Sequence, residues 1–308
     1  MNIGSNKQIP TGTHERMNKL LITGGSGFVG KNLATFFAPH CSVATTYFQH
    51  PTGPDSAGQS FRLDVTDAKQ VVSLFERVKP DAVIHAAGNK DVRFCEDHPH
   101  DAHRINAEGT QNVARVCHDF GASMIYLSTD LVFDCARGDY KEDELPQPAL
   151  AYGRSKLEGE RFALQELKDV AICRSGGIYG KGSPLLSWLS AELEGGRTVD
   201  CFVDVFNTPT YVENLAEMMM AIISKRLTGV FHTVGRGRVS RFEFFQSYAG
   251  TFGLDGDLLS PVSIASIKDR LFLQPDSSLS IDKTSKRLDV VFNSIAEGFT
   301  RLKARGGL

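Results

Sequence analysis

Short apolar runs alternate with longer amphipathic stretches through the first half of the chain. The short runs predict strands at Leu20–Thr23, Ser42–Tyr47, Ala82–His85, Met124–Ser128 and Val170–Arg174. The amphipathic stretches between them predict helices at Phe28–Phe37, Asp67–Val78, Asp101–Phe120 and Tyr152–Leu167. Strands that alternate with helices of this length form right-handed βαβ units. The pattern therefore predicts an α/β fold with a parallel sheet covered on both faces.

The alternation loosens after Gly176, where a turn-rich stretch begins. Beyond it the sequence predicts a helix, a strand and an aromatic-rich helix with core-packing rings, at 214–225, 230–234 and 240–252. Neither an internal repeat nor a long linker separates this part from the first. We therefore expect a flexible polar tail, a sheet-forming domain and a smaller C-terminal lobe with some strands returning to the sheet, mainly over residues 1–16, 17–180 and 181–308.

Composition narrows the classes of function. The 308 residues carry 34 Lys and Arg against 36 Asp and Glu, a net charge of −2, which does not indicate a nucleic-acid partner. No apolar run approaches the ~20 residues that span a bilayer, so we expect no membrane association. The six cysteines are scattered without zinc-ligand spacing, which predicts a cytoplasmic protein with no metal site.

A glycine-rich turn joins the first predicted strand to the first predicted helix. Gly24, Gly27 and Gly30 have the spacing G-x-x-G-x-x-G. Glycine permits unusual dihedral angles and a close backbone approach, and a helix N-terminus presents free N–H groups to a phosphate. At the start of a βαβ series, this turn favours a dinucleotide site in a Rossmann-type doubly wound sheet over a purely structural turn.

The segment after the second predicted strand bears on which dinucleotide binds. An acidic residue about 20 positions after the glycines normally holds the ribose 2′-hydroxyl of NAD. Residues 43–50 contain no acid, so they would not repel a 2′-phosphate, although they also lack an Arg to pair with one. The sequence favours NADP(H) as the cofactor, with NAD(H) as the alternative.

Two further motifs supply groups that could act on a carbonyl. Tyr152 and Lys156 are four residues apart, on one face of a predicted helix. A neighbouring ammonium would lower the pKa of the tyrosine, which could then exchange a proton while a hydride moves to or from a nicotinamide. Thr129 and its neighbour Ser128 end a predicted strand, where a hydroxyl can polarise a carbonyl. The structural alternatives are an exposed helix face and a simple helix cap or turn.

Several segments together match one family pattern: TGGSGFVG (23–30), LDVTD (63–67), PDAVIHAAG (80–88), LSTDLVFD (127–134), YGRSKLEGE (152–160), NTPTYVENLA (207–216) and, more weakly, PDSSLSIDK (275–283). Over roughly residues 17–290 the chain resembles the extended short-chain dehydrogenase/reductases, and most closely their dTDP-4-dehydrorhamnose reductase branch. The resemblance implies reduction of the C4 keto group of a dTDP-4-keto-6-deoxy sugar in dTDP-L-rhamnose biosynthesis. It also implies that the C-terminal lobe binds the nucleotide-sugar substrate.

The resemblance further implies roles for individual residues. Tyr152 would protonate the C4 oxygen, Lys156 would lower the tyrosine pKa and hold the nicotinamide ribose, and Thr129 would polarise the carbonyl. The cofactor would contact Gly24, Ser26, Gly27, Phe28, Val29, Gly30, Thr46, Asp64, Val65, Ala86, Ala87, Gly88, Asn106, Ser128, Ser175, Gly177 and Ile178. The substrate would contact Asn89, Asp130, Asn207, Thr208 and Thr210.

The chain departs from the family pattern at positions that face the sugar in relatives. Leu131 stands where the family usually has Tyr, and residues 88–91 replace a different polar and aromatic run, so the exact sugar stays open. One alternative is another nucleotide-sugar epimerase or dehydratase of the superfamily. A second is a non-catalytic regulatory subunit like the β subunit of methionine adenosyltransferase, which shares the Tyr-x-x-x-Lys helix. Relatives are often dimers, so the resemblance also allows a homodimer.

Overall fold

The computed structural model describes residues 17–51, 58–267 and 273–307, and the predicted tail over 1–16 lies outside them. The strands are β1 (Lys19–Thr23), β2 (Ser42–Tyr47), β3 (Gln59–Arg62), β4 (Ala82–His85), β5 (Ser123–Thr129), β6 (Val170–Ser175), β7 (Ile178–Tyr179), β8 (Val199–Phe202), β9 (Phe206–Asn207), β10 (Thr210–Tyr211), β11 (Gly229–His232), β12 (Val239–Ser240) and β13 (Leu259–Val262). The helices are α1 (Phe28–Phe37), α2 (Ala68–Val78), α3 (Val92–Asp97), α4 (Pro99–His103), α5 (Gly109–Phe120), α6 (Ala151–Glu166), α7 (Pro184–Glu194), α8 (Val212–Ser224), α9 (Arg241–Phe252), α10 (Asp282–Leu288) and α11 (Ile295–Ala304).

Seven parallel strands form the central sheet, in the order β3-β2-β1-β4-β5-β6-β11. The chain builds outward from β1 to β3 and then crosses back to β4 on the other side of β1. The strand order therefore reverses between β1 and β4, where doubly wound sheets leave a crevice at the carboxyl ends of the strands. This topology confirms the predicted Rossmann-type α/β fold.

Apolar stripes on the helices cover both faces of the sheet. On one face, α2 buries Val71, Leu74, Phe75 and Val78 in a core that α5 and α6 share. On the other face, α1 buries Leu33, Ala34 and Phe37 against α8. Every residue of β4 and β6 is buried, as expected for central strands with helices on both sides. Every helix in the described ranges is too short or too polar to cross a membrane.

Local capping explains where several helices begin and end. Asp67 accepts hydrogen bonds from the backbone N–H groups of Lys69 and Gln70, so α2 begins one residue later than predicted. Gly121 ends α5 in the left-handed conformation, with φ of 69°. Ser240 and Glu243 form a reciprocal capping box at the start of α9.

The predicted continuous helix over residues 101–120 is interrupted. A π-helical segment, Arg104–Glu108, separates α4 from α5. The carbonyl of Asn106 within it accepts hydrogen bonds from the Thr110 hydroxyl at 2.6 Å and the Tyr126 phenol at 3.2 Å. Side chains therefore satisfy the backbone where the helix widens. Segments of this kind are frequent at functional sites.

The C-terminal part of the chain has a core of its own. Helices α7, α9 and α11 surround the buried rings of Tyr179, Phe244, Tyr248 and Phe299. The aromatic residues of α9 thus pack in a core, as predicted. Strand β11 joins the central sheet and α8 covers its face, so the chain returns to the sheet from within this region.

Candidate active site

The predicted site residues lie mainly where the central strands end. Thr23, His85, Thr129 and Ser175 are the last residues of β1, β4, β5 and β6, which are neighbours in the sheet. Because these strands are parallel, their carboxyl ends share one edge of the sheet. The fold thereby brings segments that are far apart in sequence to the crevice at the reversal of strand order.

The glycine turn between β1 and α1 leaves room for a ligand. Gly24 has φ of +70°, and a Cβ there would lie 2.8 Å from the Ala87 nitrogen, while a Cβ on Gly30 would collide with the Gly24 carbonyl. Among the described residues, no side chain caps α1, whose first turn holds Phe28, Val29 and Gly30. The N–H groups of that turn fit the pyrophosphate of a dinucleotide. Ser26 lies half-buried beside this turn.

Hydrogen bonds hold the walls of the crevice in place. The Gly24 N–H donates to the Thr46 hydroxyl at 3.2 Å, which ties the turn to the end of β2. The Ala87 N–H donates to the Thr23 hydroxyl at 3.2 Å, and that hydroxyl lies 2.7 Å from His85 Nδ1. These bonds position the Ala86–Ala87–Gly88 segment opposite the turn.

His85 connects this wall to the π segment. Its Nε2 lies 3.2 Å from the Thr110 hydroxyl, and that hydroxyl donates its proton to Asn106. His85 must therefore be the donor to Thr110, which leaves its Nδ1 to accept from Thr23. Burial, with a smaller effect of Lys156, lowers the pKa of His85 to about 3, so the ring is neutral at physiological pH.

Asn106 has a positioning role that the sequence did not reveal. Its side-chain oxygen accepts from the Asn89 N–H at 2.7 Å, and its amide nitrogen donates to the Asn89 carbonyl at 2.9 Å and the Ser155 hydroxyl at 3.0 Å. The predicted cofactor contact is thus a side chain that fastens the loop after β4 to α6. Asn89, a predicted substrate contact, is held at the crevice by these two backbone bonds.

Tyr152 and Thr129 meet where α6 begins beside the end of β5. The Thr129 hydroxyl lies close enough to the Tyr152 phenol to favour its ionised form, which lowers the pKa of Tyr152. One helical turn further along α6, the Lys156 ammonium lies 4.0 Å from the centre of the Tyr126 ring. The three predicted catalytic residues therefore lie at the carboxyl end of β5 and at the start of α6, at the edge of the sheet where the crevice is expected.

The electrostatics of this group differ from the simple prediction. Burial raises the pKa of Tyr152 above its ordinary value, and the charge of Asp130 raises it further, while the Thr129 hydrogen bond opposes the change. Burial lowers the pKa of Lys156 to about 7, against a raising effect of Glu160. Lys156 carries only part of its charge near neutral pH and does not dominate the tyrosine, because burial disfavours both charged forms.

Asp130, a predicted substrate contact, is buried and engaged by two hydroxyl groups. Its Oδ1 accepts from the Thr129 hydroxyl at 3.0 Å and its Oδ2 from the Ser277 hydroxyl at 2.6 Å. Burial raises the pKa of Asp130 to about 6, although both hydrogen bonds oppose this. Ser277 comes from the weakly matching segment near the end of the chain, so sequence reasoning did not place it here.

Ser128, a predicted cofactor contact, directs its hydroxyl to a buried carboxylate. Successive residues of a strand point to opposite faces, so Ser128 faces away from Thr129. Its hydroxyl donates to Glu160 at 2.5 Å, and Glu160 accepts three hydrogen bonds from Arg174, the shortest at 2.7 Å. This buried ion pair lies next to the candidate site, and no motif indicated it.

The lobe-side residues lie along neighbouring backbone segments. Ile178 pairs with Thr210 in the β7–β10 ladder, and the Thr210 hydroxyl donates to the Gly176 carbonyl at 2.8 Å. Gly177 has φ of +48° and approaches the Asn207 side chain. The predicted nicotinamide wall and the predicted substrate segment are therefore brought together by the fold.

Three other predicted site residues have side chains that form hydrogen bonds within the protein. The Ser175 hydroxyl is 2.8 Å from the Thr233 hydroxyl, and the Thr208 hydroxyl accepts from the Leu279 N–H at 3.3 Å. Asp64 follows β3 and accepts from the Thr66 hydroxyl at 2.7 Å, while the neighbouring Val65 is buried in the core. In the part of the chain that the structure describes, no three His, Cys, Asp or Glu side chains cluster as metal ligands.

Comparison with known proteins identifies relatives over most of the chain. Residues 17–305 match the family described as the RmlD substrate binding domain. The chain is 32% identical over 259 residues to the dTDP-4-dehydrorhamnose reductase of Mycobacterium tuberculosis, which covers 81% of this chain and 81% of the relative. It is 28% identical over 258 residues to the methionine adenosyltransferase 2 subunit beta of Xenopus tropicalis, over 80% of this chain and 75% of the relative.

A solved structure shares the fold over nearly the whole chain. The dTDP-4-dehydrorhamnose reductase of Bacillus anthracis, solved in complex with NADP, superposes with a TM-score of 0.84 at 26% identity. The match covers 94% of this chain and 100% of that chain. The architecture described above is therefore shared with that reductase.

Proposed function

Because this chain belongs to the RmlD substrate binding domain family, we propose that it reduces the C4 keto group of a dTDP-4-keto-6-deoxy sugar with NAD(P)H. The observation that supports the proposal is that Thr129 ends β5 and that Tyr152 and Lys156 lie at the start of α6, at the same edge of the sheet as the glycine turn after β1. Ketone reduction needs a hydride at carbon and a proton at oxygen. A dinucleotide held by the α1 turn supplies the hydride when bound, and the side chains supply the rest.

Tyr152 is the proton donor in this proposal. Its raised pKa keeps the phenol protonated, so the proton is in place when negative charge develops on the C4 oxygen. Thr129, whose hydroxyl donates to Asp130 when no substrate is bound, would turn that hydroxyl to donate to the same C4 oxygen. The ammonium form of Lys156, one turn along the helix, stabilises the phenolate that remains.

The segments that line the lobe side would hold the nucleotide sugar. Asn207 and Thr210 lie against the Gly176–Ile178 segment, Thr208 lies between them in sequence, and Asn89 follows β4 in the loop that Asn106 holds. In this proposal Asp130 contacts Thr129 rather than the sugar. It accepts a hydrogen bond from the Thr129 hydroxyl, and its own side chain is buried. The homodimer and the cytoplasmic location stay predictions, which light scattering and cell fractionation can test.

The test follows absorbance of the reduced nicotinamide with a dTDP-4-keto-6-deoxyhexose as substrate. We expect one NADPH consumed per sugar reduced, and a loss of about 10²- to 10⁴-fold in kcat for Tyr152→Phe. Binding of NADPH to the variant, measured by calorimetry, should match the wild type and serves as the control for folding. Product formed without net cofactor loss would indicate an epimerase instead. No turnover, combined with tight binding to a methionine adenosyltransferase catalytic subunit, would indicate a regulatory subunit.

A further inference from the structure

Arg62 lies beside the end of β2, although it is distant from the glycine turn in sequence. It is the last residue of β3 and pairs in register with Tyr47, the last residue of β2. Its Nε donates to the carbonyl of Phe48 at 3.4 Å, so the guanidinium lies along the end of the neighbouring strand. The side chain is exposed to solvent.

The positive charge of Arg62 has no ion-pair partner in the part of the chain that the structure describes. Within the described ranges, no carboxylate lies within ion-pair distance of it. Asp64 is near in sequence, but its Oδ1 accepts from the backbone and hydroxyl of Thr66. Residues 43–50 contain no acid. The end of β2 therefore carries a cation where an NAD-specific site carries a carboxylate.

This position corresponds to the adenosine ribose in doubly wound dinucleotide sites. The ribose 2′ group lies at the end of the second strand, across from the first glycine of the turn. Here Gly24 and the end of β2 are held together by the hydrogen bond to Thr46. The exposed guanidinium on the adjacent strand therefore borders the place where a 2′-phosphate would lie.

We propose that Arg62 binds the 2′-phosphate of NADP(H) and makes the chain prefer NADP(H) over NAD(H). The Phe48 carbonyl occupies Nε, which leaves both terminal nitrogens to donate to phosphate oxygens. Residues 43–50 contain no Arg that could bind the phosphate. Arg62 comes instead from β3, and the pairing of β3 with β2 places it at the end of β2. The inference rests on the dinucleotide site of the proposed function, but not on the identity of the sugar.

Binding measurements test the proposal independently of turnover. Calorimetry gives Kd for NADPH, NADH, 2′,5′-ADP and 5′-ADP with the wild-type protein, Arg62→Gln and Arg77→Gln. Arg77 is the matched control, because it is exposed and lies 4.7 Å over the ring of Phe61, the neighbour of Arg62 on β3. Both substitutions remove one positive charge from the same edge of the sheet.

We expect Arg62→Gln to raise the Kd for NADPH and 2′,5′-ADP by about 10- to 100-fold. The Kd for NADH and 5′-ADP should stay within about twofold of the wild-type value. Arg77→Gln should leave all four ligands unchanged, and Arg62→Lys should restore part of the NADPH affinity. Equal wild-type affinity for NADPH and NADH, or an unchanged preference in Arg62→Gln, would overturn the assignment. If neither dinucleotide binds, the proposed function falls with it. If the discrimination holds without sugar reduction, only the proposed reaction falls.

Discussion

Replacing Glu160 with glutamine should strongly destabilise the protein. Glu160 and Arg174 are 2% and 4% exposed, and the guanidinium donates to both carboxylate oxygens. Among the described residues, Arg174 Nη1 has no hydrogen-bond partner, so Glu160 supplies the compensation for that buried charge. Removing one partner of a buried pair typically costs about 3–5 kcal/mol. Glutamine keeps one acceptor oxygen, so we expect a loss near 3 kcal/mol in the free energy of unfolding.

The same substitution should change the pH dependence of the site. Glu160 raises the pKa of Lys156 against the lowering effect of burial, which brings that pKa to about 7. Without the Glu160 charge the pKa of Lys156 falls further, and the ammonium is lost at a lower pH. The decline of kcat/KM for NADPH with rising pH should then begin at lower pH in Glu160→Gln than in the wild type.

Urea unfolding followed by circular dichroism measures the stability difference. Glu158→Gln is the matched control, because Glu158 lies on the same helix and pairs with an exposed Arg161. An exposed pair contributes about 0–1 kcal/mol, so this variant should be close to wild type. A Glu160→Gln protein as stable as Glu158→Gln would refute the argument from the buried pair. Recovery of stability in Glu160→Met combined with Arg174→Met would support it.

Three further predictions concern the crevice. In the wild type, kcat/KM for NADPH should fall as pH rises through about 7, because Lys156 loses its proton there, and a flat profile to about pH 9 would contradict this. Burial raises the pKa of Asp130 to about 6, so its contribution to stability falls as pH rises from about 4 to 6. The melting temperature of Asp130→Asn should therefore rise relative to that of the wild type between about pH 4 and 6. Parallel curves of melting temperature against pH would refute the burial argument. Gly30→Ala places a Cβ against the Gly24 carbonyl and should weaken NADPH binding at least about tenfold by calorimetry, whereas an unchanged Kd would disprove a tight turn.

Patterns of neighbouring residues predicted most of the strands and helices of the central sheet. The apolar runs predicted β2 and β4 to the residue, and α1 likewise, because their hydrophobic periods are set by adjacent residues alone. The helices α2 and α9 begin one residue later than predicted, because the side chains of Asp67 and Ser240 cap them from outside the helix. The π segment at Arg104–Glu108 escaped prediction, because its widened turn is supported by Tyr126, a residue of another element.

The candidate site also contains residues that short motifs reveal and residues that they do not. Motifs of short span, the glycine turn and the Tyr152–Lys156 helix, could be recognised because the chemistry depends on spacing within one element. Groups supplied by distant segments could not: Ser277 bonds Asp130, Arg174 pairs with Glu160, and Arg62 reaches the end of β2. The pKa of Lys156 likewise depends on burial, which a motif does not contain.

The type of fold and the chemical groups at its centre could be read from the chain, because hydrophobic period and local spacing are properties of neighbouring residues. The partners of those groups follow from the three-dimensional arrangement alone. The Ser128 hydroxyl donates to the buried Glu160, and the Asn106 side chain holds the loop after β4. An arginine of β3 lies at the end of β2, although a search for the cofactor motif covers only residues that follow β2 in sequence. Strand pairing and burial join residues that are far apart along the chain, and these two effects set the charges of the crevice.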